Sequence, residues 1–356
     1  MNNTAIIGQA EQEYLHRQMN KVSRSFTLVT PAAGPPLSHY LSTAYLIFRV
    51  VDNIEDSYQS FTWQEARFAE FEELLKFPER AANILARWDK ELWPGLTMDE
   101  IQLMSSQDGA LLWRIYSQLP EVPRKSIEHW STVMVEGMKK VKDAEQLPQF
   151  IKRGDVYLPS KVSDYNQYCY YVAGTVGHLS TEIVVDHHEF ESEVADRLLI
   201  NAEAFGRALQ KTNIIKDFAE DLERNVCYLP DEWMNDVDYS PLSLQGAPYD
   251  WKYRVLDNIL EELEDSTSYV IDLPHTGQGY RQASLLCLFP AYQTILQAAR
   301  SKESLFTRDH MVKISRETFQ QCIFDAQSLA TDDPAIWKYG QDIQEKVKIA
   351  LNSARP

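Results

Sequence analysis

The chain has 356 residues, 44% of them hydrophobic and 24% charged, enough apolar material for one large helical domain or two ordinary ones. Its 52 acidic and 35 basic side chains leave a net charge of −17, which excludes a nucleic-acid surface: no basic stretch is dense enough to replace phosphate counterions. The four cysteines, Cys169, Cys227, Cys287 and Cys322, form no C-x-x-C pair, which excludes a zinc ribbon or a disulfide framework and favours a reducing, cytoplasmic setting.

The amino terminus has no basic run followed by a long apolar core, so no secretory signal is expected. The longest apolar stretch, Leu285 to Leu296, is interrupted by Pro290 and Gln293 and is too short for a transmembrane anchor. Helical periodicity dominates, and no segment shows the alternation of a strand. The first expected helix runs from Leu37 to Asp56, after the Pro35-Pro36 breaker, and ends in the acidic run Asp52-Asn53-Ile54-Glu55-Asp56. Further helices are expected over 63–76, 80–92, 98–118, 124–142 and 163–186. The next, over 189–224, carries a second acidic run of the same spacing, Asp217-Phe218-Ala219-Glu220-Asp221. Helices over 251–273, 280–300, 308–329 and 333–353 complete the chain, with breaks at Pro120, Pro123, Pro148, Pro159, Pro230 and the 274–279 stretch.

On a helix, positions i, i+3 and i+4 share a face, so each acidic run projects three carboxylates as one patch. Polar groups continue both patches toward the amino terminus: Tyr45 and Arg49 before the first, Gln210 and Asn213 before the second, with Lys216 beside it. The surrounds are apolar, Leu46-Ile47-Phe48 in one case and Ile214-Ile215 in the other, so water screens the repulsion poorly. A hard cation relieves it. Mg²⁺, with Mn²⁺ as a substitute, takes oxygen ligands, keeps several waters and shares its shell with a substrate phosphate. Two equivalent helices facing each other across one bundle would account for the duplication. Glu261, Glu264 and Asp265 repeat the spacing, but they alternate with Ile and Leu without polar flanks and read as a solvated face. The adjacent His187 and His188 point to different sides of a helix, lack an H-E-x-x-H spacing, and read as a helix end.

Four segments in order carry a family resemblance: Ser23-Arg24-Ser25-Phe26; Tyr45 through Asp56; Tyr168-Cys169-Tyr170-Tyr171-Val172-Ala173-Gly174-Thr175-Val176-Gly177; and Leu209 through Asp217 with Glu220 and Asp221. From about residue 16 to about residue 325 the chain resembles the squalene and phytoene synthases. The resemblance implies an all-α, single-domain isoprenoid-synthase bundle over 1–356 with a central cavity, in which two prenyl diphosphates are joined head to head through a cyclopropyl intermediate. Leu209 through Ile215, and Val312-Lys313-Ile314, resemble the squalene branch; Cys227-Tyr228-Leu229-Pro230 is closer to the phytoene branch. The squalene branch implies condensation of two molecules of farnesyl diphosphate to presqualene diphosphate and reduction by NADPH, in a monomer that contacts membranes peripherally to release its product. The alternatives are a dehydrosqualene or phytoene synthase without reduction, a class I terpene cyclase, or a non-catalytic prenyl-lipid-binding homologue acting as an assembly factor. The last should have lost acids from one motif, and both motifs are complete.

Residue roles follow from the resemblance. Asp52, Glu55, Asp56, Asp217, Glu220 and Asp221 hold metal. Ser23, Arg24, Ser25, Arg49, Gln210 and Asn213 receive diphosphate, for which the planar forks of the two arginines are suited; Arg49 could instead pair with Asp52 within its helix. Tyr171 resembles the family's proton-handling tyrosine, with Tyr45 and Arg49 as further catalytic candidates, although a tyrosine on an apolar helix is otherwise a core residue. Gly174 and Gly177 admit either a passing prenyl chain or tight helix packing. Arg24, Arg49, Lys216, Lys313 and Arg316 are the cations for the cofactor. The chain departs from the family pattern at Val226 and Ser315, where a basic residue is usual.

Overall fold

The computed structural model describes residues 8–23, 26–142 and 149–352. It is all-α, with 77% of residues helical and 3% in strands, and it divides into two compact units.

The first unit comprises the chain up to Lys142 together with His178–Phe190. It contains α1 (Gln9–Val22), α2 (Phe26–Ala32), α3 (Leu37–Asp56), α4 (Phe61–Lys76), α5 (Ala81–Trp88), α6 (Met98–Leu103), α7 (Gly109–Ser117) and α8 (Glu121–Lys142). The helix α3 has the bounds expected from sequence. Its Leu46, Ile47, Val50, Val51 and Ile54 are fully buried, as are Phe71 and Leu74 of α4 and Leu112 and Ile115 of α7. Its carboxyl end is closed by α4: the buried Gln64 amide donates to the carbonyls of Glu55 at 3.0 Å and Ser57 at 2.9 Å, satisfying acceptors that a helix end leaves open. Two expectations are corrected here. Helices α1 and α2 precede the first one expected, and the helix expected over 98–118 is two, separated by a turn after Leu103.

The second unit comprises Asp143–Gly177 and the chain from Glu191 onward. It holds the strands β1 (Phe150–Arg153) and β2 (Val156–Pro159), then α9 (Val162–Cys169), a π-helical turn (Tyr170–Gly174), and α10 (Thr175–His188), whose later residues count with the first unit. Next come α11 (Ser192–Lys216), α12 (Phe218–Glu223), α13 (Asp231–Asn235), α14 (Tyr249–Asp272), α15 (Gln278–Ser301), α16 (Arg316–Leu329) and α17 (Asp333–Asn352). The antiparallel pairing of β1 and β2 overturns the expectation of no strands; Gly154, at φ +61°, makes the two-residue turn. The helix expected over 189–224 breaks at Asp217, and the one expected from residue 308 starts only at Arg316, where Ser315 accepts from the Thr318 amide at 3.1 Å as its cap.

In this unit α11 lies against the π-turn with almost no room. A Cβ on Gly206 would fall 2.0 Å from the Ala173 carbonyl oxygen, and one on Gly177 would fall 2.0 Å from that of Ala202. Gly177 therefore serves tight helix packing, the second of the two readings its sequence allows, and Gly206 does the same from α11.

Candidate functional site

On α3 every residue is buried or half-buried, and the half-buried ones form one stripe: Leu41, Tyr45, Arg49, Asp52, Glu55 and Asp56, with only His39 outside it. The sequence-predicted groups of this helix therefore share one partly open face. Tyr45 packs on Phe26, ring centroids 4.9 Å apart, and its phenol is raised above its ordinary range by burial, against a hydrogen bond with Ser23 that pulls the other way. Ser23 is buried and accepts from the Phe26 amide at 3.1 Å. Arg24 and Ser25 lie outside the described residues.

Arg49 reaches Asp52 at 3.8 Å and also pairs with Glu100 of α6. Glu100 was not among the sequence candidates. It sits at the third position of a capping box, taking the Thr97 amide and hydroxyl at 2.8 Å each. Burial would raise its carboxyl, but the Thr97 bonds and Arg49 outweigh burial and hold it below the ordinary range. The T-x-x-E signature was legible; its approach to an arginine 51 residues away was not. Asp52 behaves oppositely. Its carboxyl is pushed up to about 7, first by loss of solvation and then by Asp56, Glu55 and Glu100, with Arg49 opposing. Some 31% of its side chain is exposed, so solvent still reaches it and moderates the loss of solvation.

The second acidic run is built differently. Asp217 is both the last cap of α11 and the first cap of α12, with φ −100° and ψ 10°. The hydrogen bonds Asp217 N–H to Asn213 O (2.8 Å) and Asp221 N–H to Asp217 O (2.9 Å) carry the turn across the break. Lys216 pairs with Asp217 at 3.1 Å and donates to the Asn213 side chain at 3.2 Å; Arg224 pairs with Glu220 at 2.9 Å. Gln210 is half-buried and Asn213 exposed. Val226 adds a backbone link to the hairpin, flanked by Tyr157 N–H to Asn225 O at 2.9 Å and Cys227 N–H to Tyr157 O at 2.8 Å.

Tyr171 is the second residue of the π-turn, a geometry found often at functional sites. It is 7% exposed, and the Gln167 amide donates to its phenol oxygen at 3.3 Å. Lys313 and Arg316 are exposed on and after the irregular segment that leads into α16. Glu261, Glu264 and Asp265 are exposed, as a solvated face requires, and His187 and His188 lie at the end of α10.

Among the described residues no three acids, histidines or cysteines are gathered closely enough to hold a metal unaided. The two acidic runs offer carboxylate oxygens, the kind of donor that Mg²⁺ takes.

The family model described as squalene/phytoene synthase matches residues 19–318. Squalene synthase of Mus musculus is 22% identical over 93% of this chain, and that of Saccharomyces cerevisiae 27% identical over 97%; the chain spans 74% of each. A bifunctional lycopene cyclase/phytoene synthase of Arthroderma gypseum is 34% identical over 43% of the chain, which covers only 26% of that longer protein. In three dimensions the chain is similar to TcSQS in complex with BPH1237, with a TM-score of 0.73, 19% identity, and coverage of 98% of this chain and 100% of that one. It is also similar to a dehydrosqualene synthase in complex with ligand, with a TM-score of 0.62, 20% identity, and coverage of 90% and 96%. These likenesses establish the fold, and the family match across most of the sequence establishes kinship: the chain belongs to the squalene/phytoene synthase family of prenyltransferases.

Proposed function

We propose that this protein condenses two molecules of farnesyl diphosphate head to head into presqualene diphosphate and reduces that product with NADPH, the reaction of a squalene synthase. The observation that carries the reading is the α3 stripe, where a desolvated Asp52, two further acids, Arg49 and Tyr45 share the one partly open face of a buried helix. The family model runs through both compact units and each carries one acidic run, so we take them as one functional domain.

Asp52, Glu55 and Asp56, with Asp217, Glu220 and Asp221, are the metal-holding carboxylates. Mg²⁺, when bound, supplies the Lewis acid that neutralises a departing diphosphate. Arg49, steadied by Glu100, presents its fork to diphosphate oxygens, and Ser23, Gln210 and Asn213 add hydrogen bonds; Arg24 and Ser25 are assigned the same role by resemblance. Tyr171, oriented by Gln167, handles the proton lost as the cyclopropane closes. Arg49 is assigned to diphosphate and Lys216 pairs with Asp217, so the exposed Lys313 and Arg316 are taken to meet the phosphate of NADPH, with Arg24 a further candidate by resemblance; the cofactor supplies hydride. No described helix is long and apolar enough to cross a membrane, and an apolar product calls for peripheral membrane contact by what we take to be a monomer.

One observation favours a second reading, dehydrosqualene formation without reduction: Ser315, where a cation is usual, is occupied as the cap of α16. Incubating the purified protein with labelled farnesyl diphosphate and Mg²⁺, with and without NADPH, decides between them. Squalene that appears only with NADPH supports the first reading, and dehydrosqualene in both arms selects the second. No condensed product in either arm removes both.

A further inference from the structure

Lys211 lies inside the α11 run that leads to the second acidic motif, yet its side chain is completely buried. A buried ammonium is costly unless paired. Here Nζ meets the Glu262 carboxylate at 2.8 Å and the Asn258 amide oxygen at 2.9 Å, both from α14, and stands 5.0 Å from the centre of the Tyr165 ring of α9. Arg207, one turn earlier on α11, adds a second contact to Glu262 at 3.2 Å, so a single carboxylate receives two cations. The other oxygen of Glu262 is buried without a hydrogen bond among the described residues, so that carboxylate depends on those two cations.

The geometry of α11 gives this cluster its meaning. At about 100° per residue, Asn213 falls nearly opposite Lys211, with Gln210 and Asp217 about 100° and about 120° round the helix from it. The ammonium therefore pins α11 on a face other than the one that carries the diphosphate and metal groups, six residues before the cap of that helix at Asp217. Its contact with Tyr165 ties the same point to the helix that runs on into the π-turn and Tyr171. We infer that Lys211 is a positioning residue: with Glu262 and Asn258 it sets the roll of α11, and so the placement of Gln210, Asn213 and Asp217 for metal and diphosphate. The inference rests on the proposed metal role of the second acidic run.

The test separates positioning from mere stability. Lys211→Met removes the charge and nearly keeps the length; Lys211→Met/Glu262→Met replaces the pair by apolar side chains, an exchange that often leaves stability intact. Affinity for Mn²⁺ in the presence of inorganic pyrophosphate, read by electron paramagnetic resonance, requires no turnover, and thermal melting is followed in parallel. The positioning role predicts Mn²⁺ affinity at least about tenfold weaker in both variants, including a double variant that melts like the wild type, and a lower kcat with little change in KM for farnesyl diphosphate. Recovery of Mn²⁺ affinity together with melting temperature in the double variant overturns it. So does wild-type affinity in the single variant. A wild-type protein that binds no Mn²⁺ with pyrophosphate overturns the metal reading itself, and this inference falls with it.

Discussion

The α3 stripe and the α11–α12 junction carry the same acidic spacing, and the molecule treats them in opposite ways. On α3 the run closes an unbroken, buried helix; Arg49 is shared with Glu100, and Asp52 is left at a carboxyl pKa of about 7. At the junction the chain breaks at the first acid, and Lys216 and Arg224 pair with Asp217 and Glu220. Equal spacing thus yields, on α3, an acid raised by burial and by like charges on an unbroken helix, and, at the junction, two acids each paired with a neighbouring cation where the helix breaks.

The largest expected effect concerns Tyr171, in the π-turn against which α11 packs. Tyr171→Phe keeps the ring and its packing but removes the hydroxyl, so farnesyl diphosphate still binds while presqualene diphosphate formation falls by about 10² or more, the usual scale for a lost proton-transfer group. Single-turnover product analysis reads this, and unchanged turnover removes the proton role. Next in size is the packing that places α11. Gly206→Ala drives a methyl into the Ala173 carbonyl and should destabilise the protein by about 1–3 kcal/mol in a denaturant titration; an unchanged midpoint would mean that the contact is slack.

The smallest effect sharpens the comparison directly. Folding raises the Asp52 carboxyl from 3.8 to about 7, so the folded state holds the proton more tightly, and the stability contributed by this group is lost as pH rises between those values. Because the side chain is about a third exposed, the penalty above pH 7 is discounted to about 1–2 kcal/mol. In the absence of metal, Asp52→Asn should therefore gain that amount at pH 8 and nothing near pH 4. Asp217→Asn, which removes a half-buried pair with Lys216, should stay within about 0.5 kcal/mol. Equal responses from the two variants would erase the distinction between the patches.

Much of this was legible in local pattern. The bounds of α3, the grouping of Asp52, Glu55 and Asp56, and the Arg49–Asp52 pair follow from helical periodicity alone. The break at Asp217 did not, because its flanking i to i+4 hydrogen bonds persist and the periodic pattern runs through it unchanged. Glu100 and Gln64 were out of reach for another reason: each acts on α3 through a tertiary contact that no spacing encodes. The hairpin was missed because its strands are four residues each, too short to show alternation against a helical background, although Gly154 marked the turn.

The central claim is that both acidic runs serve one metal-dependent condensation. It is tested most directly by inorganic pyrophosphate release from farnesyl diphosphate across a Mg²⁺ titration, in the wild type, Asp52→Asn and Asp217→Asn. The account predicts release that requires Mg²⁺ in the wild type and falls by at least about a hundredfold in each variant, with melting still cooperative. Near wild-type release with an unchanged Mg²⁺ dependence in either variant would contradict it.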